Sequence, residues 1–134
     1  MEKKEITIYL TRDSFCMADD ALAPNVDKYD WVEGDTVMFY FILEDYIGCN
    51  LPGYLWRGYC GGEMIAEVNL NRTDMSLSRE ITLEEGWSER LKKYKTVHFL
   101  HCKYENRDSL PETIDEDEGY TYAEAKKLPI YNIR

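Results

Sequence analysis

The sequence predicts an α+β fold: a mixed sheet in strand–strand–helix–strand–strand order, then a further helix, a strand and a short helix. Three observations predict it. Ile6, Ile8 and Leu10 alternate with Thr7, Tyr9 and Thr11, the period-two pattern of a half-buried strand. Asp35 opens an apolar run in which Met38, Phe41, Ile42, Asp45 and Tyr46 recur at helical spacing. Two strand-like runs, 54–60 and 63–70, are joined by Gly61-Gly62, a two-residue hairpin signal. The chain has 134 residues, 44% of them hydrophobic, with 11 Tyr, 4 Phe and 3 Trp. That is enough apolar and aromatic mass for one packed domain over residues 1–134, and too much for a disordered chain.

Each element follows from local pattern. Residues 5–11 form the first strand. Residues 12–25 form a long connection without a period, a length that is uncommon in a loop without a purpose. Residues 26–32 form the second strand, with Tyr29 and Trp31 on one side. Residues 36–46 read as a helix ending near Gly48, with a buried strand as the competing reading because Val, Phe, Tyr and Ile favour strands. Leu51-Pro52-Gly53 is a turn. In the hairpin register Tyr59 opposes Met64, Arg57 opposes Ala66 and Leu55 opposes Val68, and this face reads as core. The other face sets Tyr54, Trp56, Gly58 and Cys60 against Glu63, Ile65 and Glu67, and reads as half-wet.

Residues 71–76 are a polar loop and 78–81 a short strand. Thr82-Leu83-Glu84-Glu85 fits a capping box, in which hydroxyl and carboxylate each satisfy a free backbone N–H. The helix it heads, 83–93, places Leu83, Trp87, Leu91 and Tyr94 on one face. Residues 95–104 form a strand, with Val97, Phe99 and His101 on one side and His98, Leu100 and Cys102 on the other. Residues 105–119, polar and acidic, read as a mobile loop. Thr121 to Glu124 is a second capping box, heading a short helix to about Leu128, where Pro129 stops it. Ile130, Tyr131 and Ile133 read as a last strand.

Two resemblances follow from these residues. The opening element order, with a helix that starts at Asp35-Thr36-Val37, resembles the β-grasp, the ubiquitin-like arrangement; it implies a fold and no function. The run Leu10-Thr11-Arg12-Asp13-Ser14-Phe15-Cys16-Met17-Ala18-Asp19-Asp20, then Ala23-Pro24, is similar to the opening of small uncharacterised bacterial proteins. Those begin with a Thr-Arg-Asp-Ser-Val-Cys stretch and an Asp-Asp pair, and a Leu-Pro turn and a Gly-Gly hairpin follow. The resemblance implies no activity but singles out residues 12–20.

The formal charge is −10. Residues 1–50 hold 11 acids and 4 bases, net −7; residues 51–104 are net +1; residues 105–134 are net −4. Nucleic acid is not an expected partner, because phosphates are met by clustered Lys and Arg. A basic protein partner is, since an acidic surface steers it in; the plainer reading is an acidic but otherwise ordinary soluble surface. No stretch has the apolar length of a membrane span, and the N-terminus lacks the apolar run of a secretory signal. The expectation is a cytoplasmic protein in which Cys16, Cys49, Cys60 and Cys102 are reduced thiols.

Catalytic and metal chemistry are weakly signalled. His98 and His101 point to opposite faces of a strand, and neither Cys-x-x-Cys nor His-Glu-x-x-His occurs, so no metal or cofactor is expected. Cys16 sits near Asp13, Asp19 and Asp20, which suppress a thiolate. Asp13 with Asp19 and Asp20 could hold a cation, but Asp13 and Ser14 fixing the loop by turn chemistry is the simpler account, with Arg12 pairing one of the acids. Arg57 lies either at a rim, its stem over apolar surface, or inward and paired with an acid. Tyr54 and Trp56 among carboxylates suit a protein-binding patch, or equally a second small core beneath the 83–93 helix.

The expected binding residues are therefore Arg12, Asp13, Asp19, Asp20, Tyr54, Trp56 and Arg57. The expected function is a non-enzymatic interaction or inhibitor protein, immunity-like, that binds a basic partner. The alternative is a small enzyme or ligand-binding domain with a pocket formed by the 12–20 loop and Arg57.

Overall fold

The computed structural model describes residues 4–12, 26–47, 53–73, 76–115 and 119–128. The elements are β1 (Glu5–Arg12), β2 (Asp27–Val32), α1 (Thr36–Ile47), β3 (Tyr54–Cys60), β4 (Glu63–Thr73), β5 (Ser76–Leu83), α2 (Trp87–Tyr94), β6 (Thr96–Lys103), a 3₁₀ helix (Tyr104–Ser109) and α3 (Tyr122–Lys126). The fold is α+β. The six strands form one mixed sheet in the order β2-β1-β6-β3-β4-β5, curled into a half-barrel. β1 runs parallel to β6, and the other pairs are antiparallel.

Residues 36–47 are helical, as the spacing predicts. Asp35 caps the helix: its Oδ1 accepts from the Met38 N–H at 3.0 Å, and its carbonyl accepts from the Phe39 N–H. Phe39, Ile42, Leu43, Tyr46 and Ile47 face the large core with Ile6, Ile8, Leu10, Trp31, Trp56, Val97 and Phe99. Phe41 does not share that face, although its spacing predicts that it does; it is 67% exposed. The run is apolar on nearly every side, so spacing alone does not say which stripe turns inward. From α2, Trp87 stacks on Phe39 at 4.9 Å and meets Trp31 at 5.6 Å.

The hairpin forms with Gly61 and Gly62 at the turn, both at positive φ (62° and 90°), a backbone that glycine adopts without strain. Tyr59 opposes Met64 and Cys60 opposes Glu63 as expected, but from Gly58 back to Leu55 the register differs. Gly58 opposes Ala66, Arg57 opposes Glu67 and Trp56 opposes Val68, with a bulge between Gly58 and Tyr59. Ile65 is the extra residue on β4, and one extra residue moves every later side chain to the other face. Ala66 and Val68 therefore join Trp56 and Cys60 in the large core. The expected core and half-wet faces are corrected accordingly. β3 lies between β6 and β4, and Leu55, Trp56, Gly58, Tyr59 and Cys60 are all buried.

The second correction concerns Thr82 to Glu85. Thr82 and Leu83 stay in β5, opposite Glu67 and Ala66, and the Glu84 N–H donates to the Ile65 carbonyl. Sheet pairing claims the residues of the expected capping box. α2 starts only at Trp87, after Gly86 in the left-handed region and without a side-chain cap. β4 extends to Thr73 and β5 begins at Ser76, which replaces most of the expected 71–76 loop with strand.

The opposite face of the sheet carries a smaller cluster of Tyr9, Val26 and Ala125, with Tyr120, Tyr122 and Leu128 packed against it. There the Thr121 capping box is present: the Thr121 hydroxyl accepts from the Glu124 N–H, and the Glu124 carboxylate accepts from the Thr121 N–H. Of the 105–119 segment expected as a mobile loop, residues 105–109 belong to the 3₁₀ helix and Thr113 bridges to Glu63. The expected last strand at 130–133 lies outside the described residues.

Candidate functional site

The expected site residues separate into three groups. Asp13, Asp19 and Asp20 lie outside the described residues, as does Cys16. Arg12 meets Trp56 beside the large core, and Tyr54 shares His101 with Trp56. The Arg12 guanidinium lies 5.6 Å from the Tyr46 ring centre and 5.7 Å from that of Trp56, within cation–π reach. His101 stacks on Trp56 at 4.5 Å and meets Tyr54 at 6.0 Å. Trp56 is fully buried, so it is a core residue and not the exposed anchor that the half-wet face predicts.

Arg57 points to the opposite face. Its Nε and Nη2 donate to Glu67 Oε2 at 3.2 and 3.0 Å, and its Nη1 donates to the Leu110 carbonyl. It is the inward, acid-paired alternative of the two readings. Next to it the Tyr59 hydroxyl donates to the Pro111 carbonyl. Burial pushes the Tyr59 phenol up, against the pull of Arg57. Arg12 and Arg57 thus sit on opposite sides of one sheet, and a single pocket does not take both side chains.

An unexpected surface lies on α1. Val37 (62% exposed), Tyr40 (36%) and Phe41 (67%) follow each other at helical spacing on its outward side. Asp45, on the next turn, is exposed and accepts from the Tyr29 hydroxyl at 2.9 Å. Glu44 lies beside it, and Glu33 and Asp35 precede the helix. The sequence signal for this patch is the excess of apolar residues over what one helix face can bury.

A cleft of about 180 Å³ opens on the other side of the sheet. It is lined by Tyr59, the Gly61–Gly62 turn, Tyr94, Thr96, His98 and Tyr120 to Tyr122, with Lys93 at its wall. His98 is fixed by a 2.7 Å hydrogen bond between its Nδ1 and the Thr11 hydroxyl, and its ring meets Tyr120 edge-on. Thr11 is 1% exposed, so its hydroxyl is shielded from any substrate in the cleft.

Thiol chemistry is suppressed where it can be described. Burial pushes the Cys60 thiol up to about 12, and burial also raises Cys102. Among the described residues no group of three or more His, Cys, Asp and Glu side chains converges as metal ligands. No helix among them is long and apolar enough to cross a membrane. Comparison of the chain with protein-family models, with curated proteins and with solved structures finds no match.

Proposed function

We propose that the protein is a non-enzymatic interaction protein that docks a basic protein partner through the outward face of α1. The observation that carries this reading is the exposure of Val37, Tyr40 and Phe41 together on one rigid helix face. Large apolar side chains left in water on a packed element mark an interface, and an apolar centre with a charged rim is its usual anatomy. The rim here is acidic, and the first 50 residues carry net −7. The complementary partner offers an apolar hollow bordered by Lys and Arg. An inhibitor of immunity type is the form of this reading in which α1 covers a basic working surface. A β-grasp reading of the fold is supported by the interior parallel β1–β6 pair, with the helix falling in sequence between the β1–β2 and β3–β4 pairs.

The test uses the immobilised protein in a lysate of its source organism at physiological salt. The proposal expects a protein captured by the wild type, lost with Val37→Ser/Phe41→Ser and with Glu44→Lys/Asp45→Lys, and retained with Lys127→Glu, just after α3 on the opposite face of the sheet. Retention by the α1 variants, or no capture, overturns it. Self-association that disappears with Phe41→Ser, seen by light scattering, also overturns it, because the face then belongs to a second copy.

A further inference from the structure

We propose that the cleft between the β3–β4 turn, β6 and the Tyr120–Tyr122 segment binds a small planar carboxylate, with its ring among the tyrosines and its anionic group at Lys93. The size argument comes first. A buried apolar cavity of about 150 Å³ holds benzene, and this cleft offers about 180 Å³. It admits one six-membered ring with a small substituent and little more.

The walls match a flat guest. Tyr59, Tyr94, Tyr120 and Tyr122 line it with rings, and the Tyr94 ring packs on the Gly61 backbone, where a Cβ would clash with it, so this wall is flat and closed. Thr96, Thr121 and His98 add polar groups, few and convergent, as orienting groups in ligand sites are.

The charge decides the sign of the guest. Tyrosine walls alone attract cations. Here those ring faces already carry the protein's own cations: Arg90 and Lys93 lie 5.2 Å from the Tyr94 ring centre, and Lys95 and Lys126 lie 5.4 and 5.5 Å from that of Tyr122. Residues 87–95 contain four bases and one acid within a chain of net −10. Arg90 is committed, with Nη1 on Glu63 at 3.1 Å and Nε and Nη2 on the Cys60 and Gly61 carbonyls. Lys93 is the cation that lines the cleft. A cationic guest meets repulsion there and a carboxylate gains a charge-assisted hydrogen bond.

Titration with benzoate and with uncharged benzamide, followed by amide NMR shifts, tests the assignment. Benzoate saturably shifts Gly61, Gly62 and Thr96, and benzamide binds about tenfold more weakly. Lys93→Glu weakens benzoate by at least about tenfold and leaves benzamide unchanged, whereas Lys92→Glu, outside the cleft, leaves both unchanged. Equal binding of benzoate and benzamide overturns the proposal. So do equal losses in the two lysine variants, which mean a diffuse field and no site, or the absence of saturable shifts. None of these outcomes touches α1, so failure here is separable from failure of the protein-binding reading.

Discussion

Arg57 and Glu67 are direct partners across the β3–β4 pair, with Arg57 Nη2 3.0 Å from Glu67 Oε2 and their side chains 13% and 30% exposed. The pairing exists only because the bulge moves Glu67, and not Ala66, opposite Arg57. Arg57 also holds the Leu110 carbonyl, so its loss frees two partners while loss of Glu67 frees one. Arg57→Ala is expected to cost about 2 kcal/mol and Glu67→Gln about 1 kcal/mol in urea unfolding. Equal costs would show that the Leu110 contact contributes nothing.

Gly58 is held by space and not by backbone angle. A Cβ there would lie 2.7 Å from Phe99 Cε1 and 2.9 Å from Val97 Cγ1, both buried in the large core. Gly58→Ala is therefore expected to destabilise by about 1–3 kcal/mol through overpacking. Phe99→Leu in the same chain relieves the clash, so the double variant should be more stable than the sum of the single changes predicts. Strict additivity would sink this account.

Cys60 gives the fold an alkaline limit. Its thiol is neutral in the folded state up to about 12, against an ordinary value of 9.0, because burial disfavours the thiolate. Below the ordinary value both states hold the proton and the contribution is fully present. As pH rises through that window the unfolded chain ionises first, and stability is lost by up to a few kcal/mol. Tyr59, raised for the same reason, adds to the loss higher up. Urea unfolding at about pH 8 and about pH 10.5 should show a shallower alkaline loss in Cys60→Ala than in the wild type, whatever the variant's absolute stability. Parallel slopes would remove Cys60 as the cause. At neutral pH, peptide mapping after alkylation should find Cys60 unmodified until the chain unfolds.

The parts of this molecule that were legible in the sequence are those fixed by neighbours in the chain. Asp35 and Thr121 cap their helices by contacts three residues ahead, and Gly61-Gly62 makes its turn by backbone angle. The misread parts depend on long-range partners. The Ile65 bulge has no local signature, because Tyr59 opposite Met64 satisfies alternation equally with or without it. The Thr82 capping box is a sound local signal that loses to a ladder supplied by β4. For the site, the sequence placed Arg12 with the acids of the 12–20 loop and Trp56 on a half-wet hairpin face, whereas the sheet sets Arg12 over the Trp56 ring beside the core. The cleft was missed because its walls come from three separate segments, 59–62, 93–98 and 120–122, that no motif links.

Phe39 and Phe41 sit two residues apart on α1 and should behave as opposites. Phe39 is fully buried, stacked on Trp87 and close to Trp31, while Phe41 is 67% exposed. Phe39→Ala removes a ring from a dense aromatic cluster that can close only partly over the gap, and should cost about 3–5 kcal/mol. Phe41→Ser removes almost no buried area and should change stability by no more than about 0.5 kcal/mol. Its effect belongs to binding: if the outward face of α1 is the docking surface, partner capture falls while the unfolding midpoint stays in place. A Phe41→Ser chain that unfolds as readily as Phe39→Ala would show that Phe41 is packed within the protein. The exposed face would then have no claim on a partner.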